Sequence, residues 1–305
     1  MVETLFGSDA LFGLVRMSVP ILLVSAGGFV MLISGIMNVA LEGLLLLGCL
    51  MGVGFSLAFS NVLVGSLITA VAIVSINLVY TFLVARFRID STVLGIGIGI
   101  LAAGVGTFTY QSSGGEMNIL RAGLAGIPKI KIPFVDSVPY FGEVVSGHSL
   151  IVYLAFALVA LVWLVVYKMP IGFYMRAAGD NPVALETAGV SPRKMKYLSA
   201  IIAGSLIAVA GLYLSLGYSS QFTPGMSGGR GWIAIAIMFV AGKRYGAVVI
   251  TSIVFALAET LAFRLQLFGF SSYSTLLIPY VTVVVLMLLV NVIHRRHLHK
   301  RHLSS

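Results

Sequence analysis

The chain has 305 residues, of which 59% are hydrophobic and only 10% charged, with a mean hydropathy of +1.06. A soluble domain carries about 25% charged residues, so a large soluble domain is excluded and a chain that lives mostly in lipid is implied. The net charge of +9 is then read as membrane topology rather than as nucleic-acid binding, and the single cysteine, Cys49, leaves no intramolecular disulfide and no zinc site of cysteines.

Taken in order, the N-terminus carries Glu3 and Asp9 and lacks a basic leader, so the first apolar run is expected to stay in the mature protein. Apolar segments follow at about 11–33, 43–60, 62–85, 92–109, 149–167, 198–217, 231–242, 246–263 and 274–293. A helix needs about 20 residues to cross a bilayer, so the 231–242 segment is expected to be a half-helix or a broken one. The sequence therefore predicts an all-α polytopic membrane protein, a single domain over 1–305, with about eight transmembrane helices plus one short broken or re-entrant helix.

Loop charge sets the expected orientation. The longest polar break of the second half, 168–197, holds Lys168, Arg176, Arg193, Lys194 and Lys196, and short loops rich in Lys and Arg face the cytoplasm. Alternation then puts 86–90, 243–244 and the tail from His294 inside, and 110–148, 218–230 and 266–272 outside. On that assignment 13 of the 19 cations fall inside; Arg121, Lys129, Lys131, Arg230 and Arg264 lie outside or near the outer face, and Arg16 lies in the first span. The N-terminus is expected outside and the C-terminus inside, with 34–42 read either as a loop or as a re-entrant piece. The 294–305 tail, rich in His and cations, is expected to be a basic cytoplasmic anchor attracted to anionic lipid rather than a metal site.

The central loop has legible turns. Asn181 suits an N-cap, Pro182 the first helical position, and Gly189 a left-handed stop; Ser191-Pro192 repeats the cap-plus-proline signal for the next membrane helix. A short, sharply ended helix of this kind reads either as a docking knob or as an ordinary capped connector.

The spelling RAAGDNPVALETAGV over 176–190 resembles the cytoplasmic loop of bacterial ABC-importer permeases, the family that includes branched-chain amino acid, ribose and nucleoside permeases, and is most similar to the simple-sugar and nucleoside branch. The resemblance implies a type II importer-like fold. It makes this loop the coupling helix that sits in a groove of an ATPase subunit, with Arg176, Gly179, Asp180, Asn181, Pro182, Glu186 and Gly189 as the contact residues. It also implies a second homologous permease, usually a different chain in the nucleoside branch, and an extracytoplasmic substrate-binding lipoprotein docking on outer loops such as 110–148. The place implied is the bacterial inner membrane, and the solute a nucleoside, a simple sugar or riboflavin.

No GxxxxGK[ST] loop is present, so ATP would be hydrolysed by a partner and no cofactor is expected on this chain; nor does any span carry a catalytic constellation. Polar groups inside lipid are functional candidates by default. Asn38 and Glu42 lie in a Gly-x-x-Asn-x-x-x-Glu-Gly stretch similar to one beside the family's pathway. Asn77 reads as a pathway residue or as helix–helix glue, and Glu259 as a pathway residue, as a partner of Arg264 or as a residue at the outer interface. Gly229 belongs to a second glycine-bearing break, 225–232, at a position matching 34–43, which suggests an inverted repeat with broken helices. Gly95, Gly97, Gly99, Gly104 and Gly106 suggest a tightly packed span. Tyr213, Tyr218, Phe222 and Trp232 read as an interfacial aromatic belt rather than as a stacking site. An ion-coupled secondary transporter is the alternative, resting on Glu42 and Glu259 as the only embedded carboxylates to hold an ion.

Overall fold

The computed structural model describes residues 7–131, 141–268, 271, 275, 277–286 and 288. In chain order the helices are α1 (Ser8–Ile33), α2 (Leu41–Ala58), α3 (Val62–Phe87), α4 (Ser91–Ser112), α5 (Phe141–Val145), α6 (Leu150–Lys168), α7 (Pro170–Asp180), α8 (Pro182–Thr187), α9 (Pro192–Leu212) running into a π-turn (Tyr213–Tyr218), α10 (Arg230–Ala241), α11 (Tyr245–Leu267) and α12 (Leu277–Leu286). Among the described residues seven of these are long and apolar enough to span: α1, α2, α3, α4, α6, α9 with its π-turn, and α11. α10 is short, as expected, and within the expected 274–293 segment the described helix is α12. Helices dominate because lipid offers no partner to a free backbone N–H or C=O.

Side chains and φ angles mark the turns between spans. The Asn61 side chain accepts the N–H groups of Leu63 and Val64 at the start of α3. Asp90 does the same at α4, where the N–H groups of Val93 and Thr92 hold its carboxyl below its ordinary range. Met169 is extended and Pro170 opens α7, a helix that the sequence reading left as loop; its buried Gly172, Met175 and Ala178 recur at helical spacing and turn one face inward.

The core is built on α1, α2 and α9. The most apolar window of α1 is 83% buried and that of α9 with its π-turn 72%, against 22% for α3 and 17% for α4. α3 and α4 are therefore peripheral and present their apolar faces outward. α2 and α9 touch backbone to backbone: a Cβ on Gly211 would stand 2.7 Å from the carbonyl carbon of Gly48. The glycine-rich α4 is packed only in part. Added Cβ atoms at Gly95 and Gly106 would meet Val39 and Phe222, whereas those at Gly97, Gly99 and Gly104 would meet nothing within 4 Å.

On the face opposite the 168–197 loop, strand β1 (Lys129–Ile130) pairs antiparallel with β2 (His148–Ser149). The hairpin is held on α1 by the His148 ring, stacked on Phe12 at 4.0 Å between centroids.

Candidate functional site

The basic face carries the predicted loop as a pair of short helices. Asn181 caps α8, its side-chain oxygen accepting the Ala184 N–H at 3.1 Å, and Pro182 occupies the first turn. Gly189 is left-handed at φ 81°, and the Val190 N–H returns to the Leu185 carbonyl, so the stop is the one expected. At α9, Pro192 takes the first turn but Ser191 makes no capping bond. Leu185 alone of α8 is buried; Pro182, Val183, Ala184, Glu186 and Thr187 are exposed. Arg176 is half-buried with its guanidinium 5.4 Å from the Tyr167 ring. Gly179 is pressed against the end of α1, where a Cβ would fall 2.3 Å from the Ile33 carbonyl oxygen. Asp180 forms an ion pair with Lys243, just past the end of α10.

The two glycine-bearing breaks meet inside the core. The 34–40 stretch is not a surface loop: Ser34, Asn38 and Ala40 are fully buried. Asn38 turns its oxygen onto the Ala40 N–H and donates to the Asn77 oxygen at 3.0 Å, while Asn77 donates to the Ala200 carbonyl at 2.8 Å. Three segments are thus bridged by two amides with no exposed surface, an arrangement of interhelical hydrogen bonds. Two residues into α2, Glu42 faces the start of α10. Its Oε1 accepts the Ser227 hydroxyl at 2.6 Å and the Gly229 N–H at 3.1 Å, and its Oε2 accepts the Gly231 N–H at 2.7 Å. Gly229 is left-handed at φ 76° immediately before the helix. A carboxylate among these donors sits at the positive end of the α10 dipole, which offsets the cost of keeping it away from water. Gly48, six positions on, lies against Gly211 near the far end of α9. Glu42 is therefore roughly 9 Å nearer the basic face, close to the middle of the helical body. Glu259 pairs with Arg230, the first residue of α10, a partner not considered from sequence.

Beside this junction lies a cavity of about 210 Å³ lined by Arg16, Met17, Tyr213, Tyr218, Met226 and Arg230, among others. It shares Arg16, Met17 and Tyr218 with a second space of about 680 Å³ between the start of α1 and the end of α11. Pro20 lacks the N–H that would bind the Arg16 carbonyl; the Tyr213 hydroxyl supplies that bond at 3.0 Å. The π-turn, a feature frequent at functional sites, brings Tyr213 and Tyr218 to 6.3 Å between ring centroids. The Arg16 guanidinium lies 4.5 Å from the Tyr218 centroid. The rings read from sequence as an interfacial belt divide accordingly. Tyr213 and Phe222 are buried, while Tyr218 and Trp232 are exposed. Neither Arg16 nor Arg230 was singled out from the sequence, although Arg16 stands inside an apolar run, where a charged residue is a functional candidate by default.

A helical membrane body with unwound segments meeting at mid-depth, a half-helix between them and an exposed capped helix on its basic face is the build of a membrane permease. Residues 10–293 match the family model of the permease component of the branched-chain amino acid transport system, and the chain belongs to that family. It is 31% identical to the guanosine ABC transporter permease NupQ of Bacillus subtilis over 73% of this chain and 72% of that one. It is 29% identical to TsgC13 of Haloferax volcanii, a candidate glucose ABC transporter permease, over 86% and 79%. The nucleoside ABC transporter permease NupC of Lactococcus lactis is 27% identical over 80% and 79%. The same Bacillus and Lactococcus strains each have a second, more distant relative named as a permease for the same solutes, NupP and NupB. No solved structure matches the chain. The chain is a permease subunit of an ABC transporter.

Proposed function

We propose that the chain forms half of the translocation pathway of an ATP-driven importer in a bacterial inner membrane, with the 168–197 loop in the cytoplasm and a nucleoside or similar small polar molecule as solute. The observation that carries this reading is the exposed, doubly stopped α8 joined through Asp180–Lys243 to α10, whose other end meets Glu42 at mid-depth. An ATPase that engages α8 has, in that ion pair, a short route to the broken-helix junction. The cofactor of the cycle is ATP on that partner.

The paired permeases named for the Bacillus and Lactococcus relatives favour a second, homologous permease rather than a second copy of this chain. A binding lipoprotein would deliver solute to the opposite face, near the β1–β2 hairpin. The ion-coupled alternative is not favoured. Glu42 accepts three protein donors and Glu259 is paired with Arg230, so both embedded carboxylates are already engaged.

The test is co-purification. Glu186→Lys and Val183→Asp change exposed positions of α8. Each should insert normally and lose the co-expressed ATPase. Arg176→Glu should do the same but also disturb the Tyr167 contact. Retention of the ATPase by the α8 variants, with Asp180 reachable by a membrane-impermeant label from outside, would overturn both the contact surface and the orientation.

A further inference from the structure

We infer that the cavity between α1, the π-turn and the start of α10 is the solute site of this permease, and that Arg16 and Tyr218 select a planar heteroaromatic base over a sugar lacking one. The inference rests on the importer reading and names the solute class within it.

Position supports it first. The space of about 210 Å³ reaches Arg230, beside the Glu42 junction, and shares Arg16, Met17 and Tyr218 as walls with the larger space at the start of α1. A solute entering from the face opposite the basic loop thus meets Arg16 and Tyr218 before it meets the place where the two broken helices touch.

Chemistry supports it next. The Arg230 guanidinium is engaged by Glu259 and by the carbonyls of Met226 and Ser227. Among the described residues none pairs a carboxylate with Arg16 or accepts from its guanidinium, which lies over the Tyr218 ring. A half-buried arginine lying 4.5 Å from the Tyr218 centroid and 5.9 Å from that of Phe12 offers a fork for two adjacent acceptors beside aromatic rings against which a flat group can pack. The N7 and O6 edge of a guanine-type base presents that acceptor pair. A sugar ring presents hydroxyls projecting around its edge and lacks an in-plane pair of ring acceptors of this kind. Met17 and Met226 add polarisable contacts that suit an aromatic ring. The geometry is held in place by Pro20, whose missing N–H frees the Arg16 carbonyl for the Tyr213 hydroxyl.

The complete transporter, with its ATPase, second permease and binding protein, is reconstituted in vesicles, and uptake of guanosine, 7-deazaguanosine and glucose is measured. Wild type should take up guanosine in preference to glucose, and guanosine over 7-deazaguanosine, which lacks the N7 acceptor. Arg16→Gln should raise the guanosine KM about tenfold and remove the part of the 7-deaza discrimination that belongs to the permease, with Arg16→Lys between. Tyr218→Leu should raise KM, and Tyr218→Phe should not. If Arg16→Gln fails to assemble, the Tyr218 pair carries the test. Guanosine uptake with KM unchanged in Arg16→Gln and Tyr218→Leu overturns the site and leaves the importer reading intact. Uptake of glucose but not guanosine by wild type overturns the solute class. No ATP-dependent uptake of any of the three overturns the importer reading for these solutes and the inference with it.

Discussion

The backbone N–H of Gly231 donates to the Glu42 carboxylate at 2.7 Å, and a Cβ on that glycine would lie 2.3 Å from the Glu42 Cα. The starts of α2 and α10 are thus in backbone contact, and the hydrogen bond exists only because residue 231 has no side chain. Gly231→Ala should push the two helices apart at a cost of about 1–3 kcal/mol or more. The measurement is the thermal midpoint of the detergent-solubilised permease, which should fall, with uptake lost.

Glu42→Gln keeps one acceptor oxygen but places an NH₂ group among N–H and O–H donors. Leaving such donors unsatisfied costs about 1–3 kcal/mol, so the thermal midpoint should drop. Ser227→Ala should cost less alone and little more in the Glu42→Gln background, because both changes break the same contact. Strict additivity in that double-mutant cycle would show that the two side chains act independently.

The Asp180–Lys243 pair is more than half exposed on both sides, at 60% and 58%, and exposed pairs contribute about 0–1 kcal/mol. Lys243→Glu should therefore leave the thermal midpoint almost unchanged while lowering ATP-driven uptake severalfold. The swapped pair, Asp180→Lys with Lys243→Glu, should restore part of the uptake lost in Lys243→Glu, the remainder reflecting the proposed direct contact of Asp180 with the ATPase. A swap that restores none of it would show that the charges act on something other than each other.

Asn77 holds Asn38 and the Ala200 carbonyl together out of reach of water. Interhelical hydrogen bonds of this kind average about 0.6 kcal/mol. Asn77→Leu should accordingly cost on the order of 1 kcal/mol, more than the average because Asn38 loses its partner, while leaving the solute KM unchanged. A changed KM with unchanged stability would return Asn77 to the pathway.

Burial lowers the pKa of His148 from 6.5, and the Arg16 charge adds to the effect, while the bond to the Val144 carbonyl opposes it. The folded state thus favours neutral imidazole. The resulting stabilisation is present in full above about pH 6.5 and is lost as pH falls through the lower folded value. Hydrogen exchange in the β1–β2 hairpin, corrected for intrinsic rates, should accelerate on acidification. His148→Phe keeps the stack on Phe12 and should abolish that pH dependence.

Much of the fold was legible because lipid imposes a simple rule: long apolar runs must become helices, and the short 231–242 run could not cross. Asn181, Pro182 and Gly189 likewise announce α8, since caps and left-handed stops are local. α7 was not legible, because its one buried face is set by packing of Gly172 against the end of α6. Nor was the Glu42 site complete in the sequence. The breaks at 34–43 and 225–232 were legible as a matching pair, but nothing in the sequence says that the Glu42 carboxylate meets the N–H of Gly231, 189 positions on. Only Arg264, five residues on, was visible as a neighbour of Glu259 in the sequence, whereas Arg230 arrives from the far side of a turn.

α10 has 12 residues and so measures about 18 Å from end to end. One tip abuts the residue that Asp180 grips and the other abuts Glu42. On the proposed reading, a push delivered at Asp180 would reach the Glu42 junction through the short turn at Gly242 and Lys243 and then this one helix, little more than half the roughly 30 Å of a bilayer's hydrocarbon core.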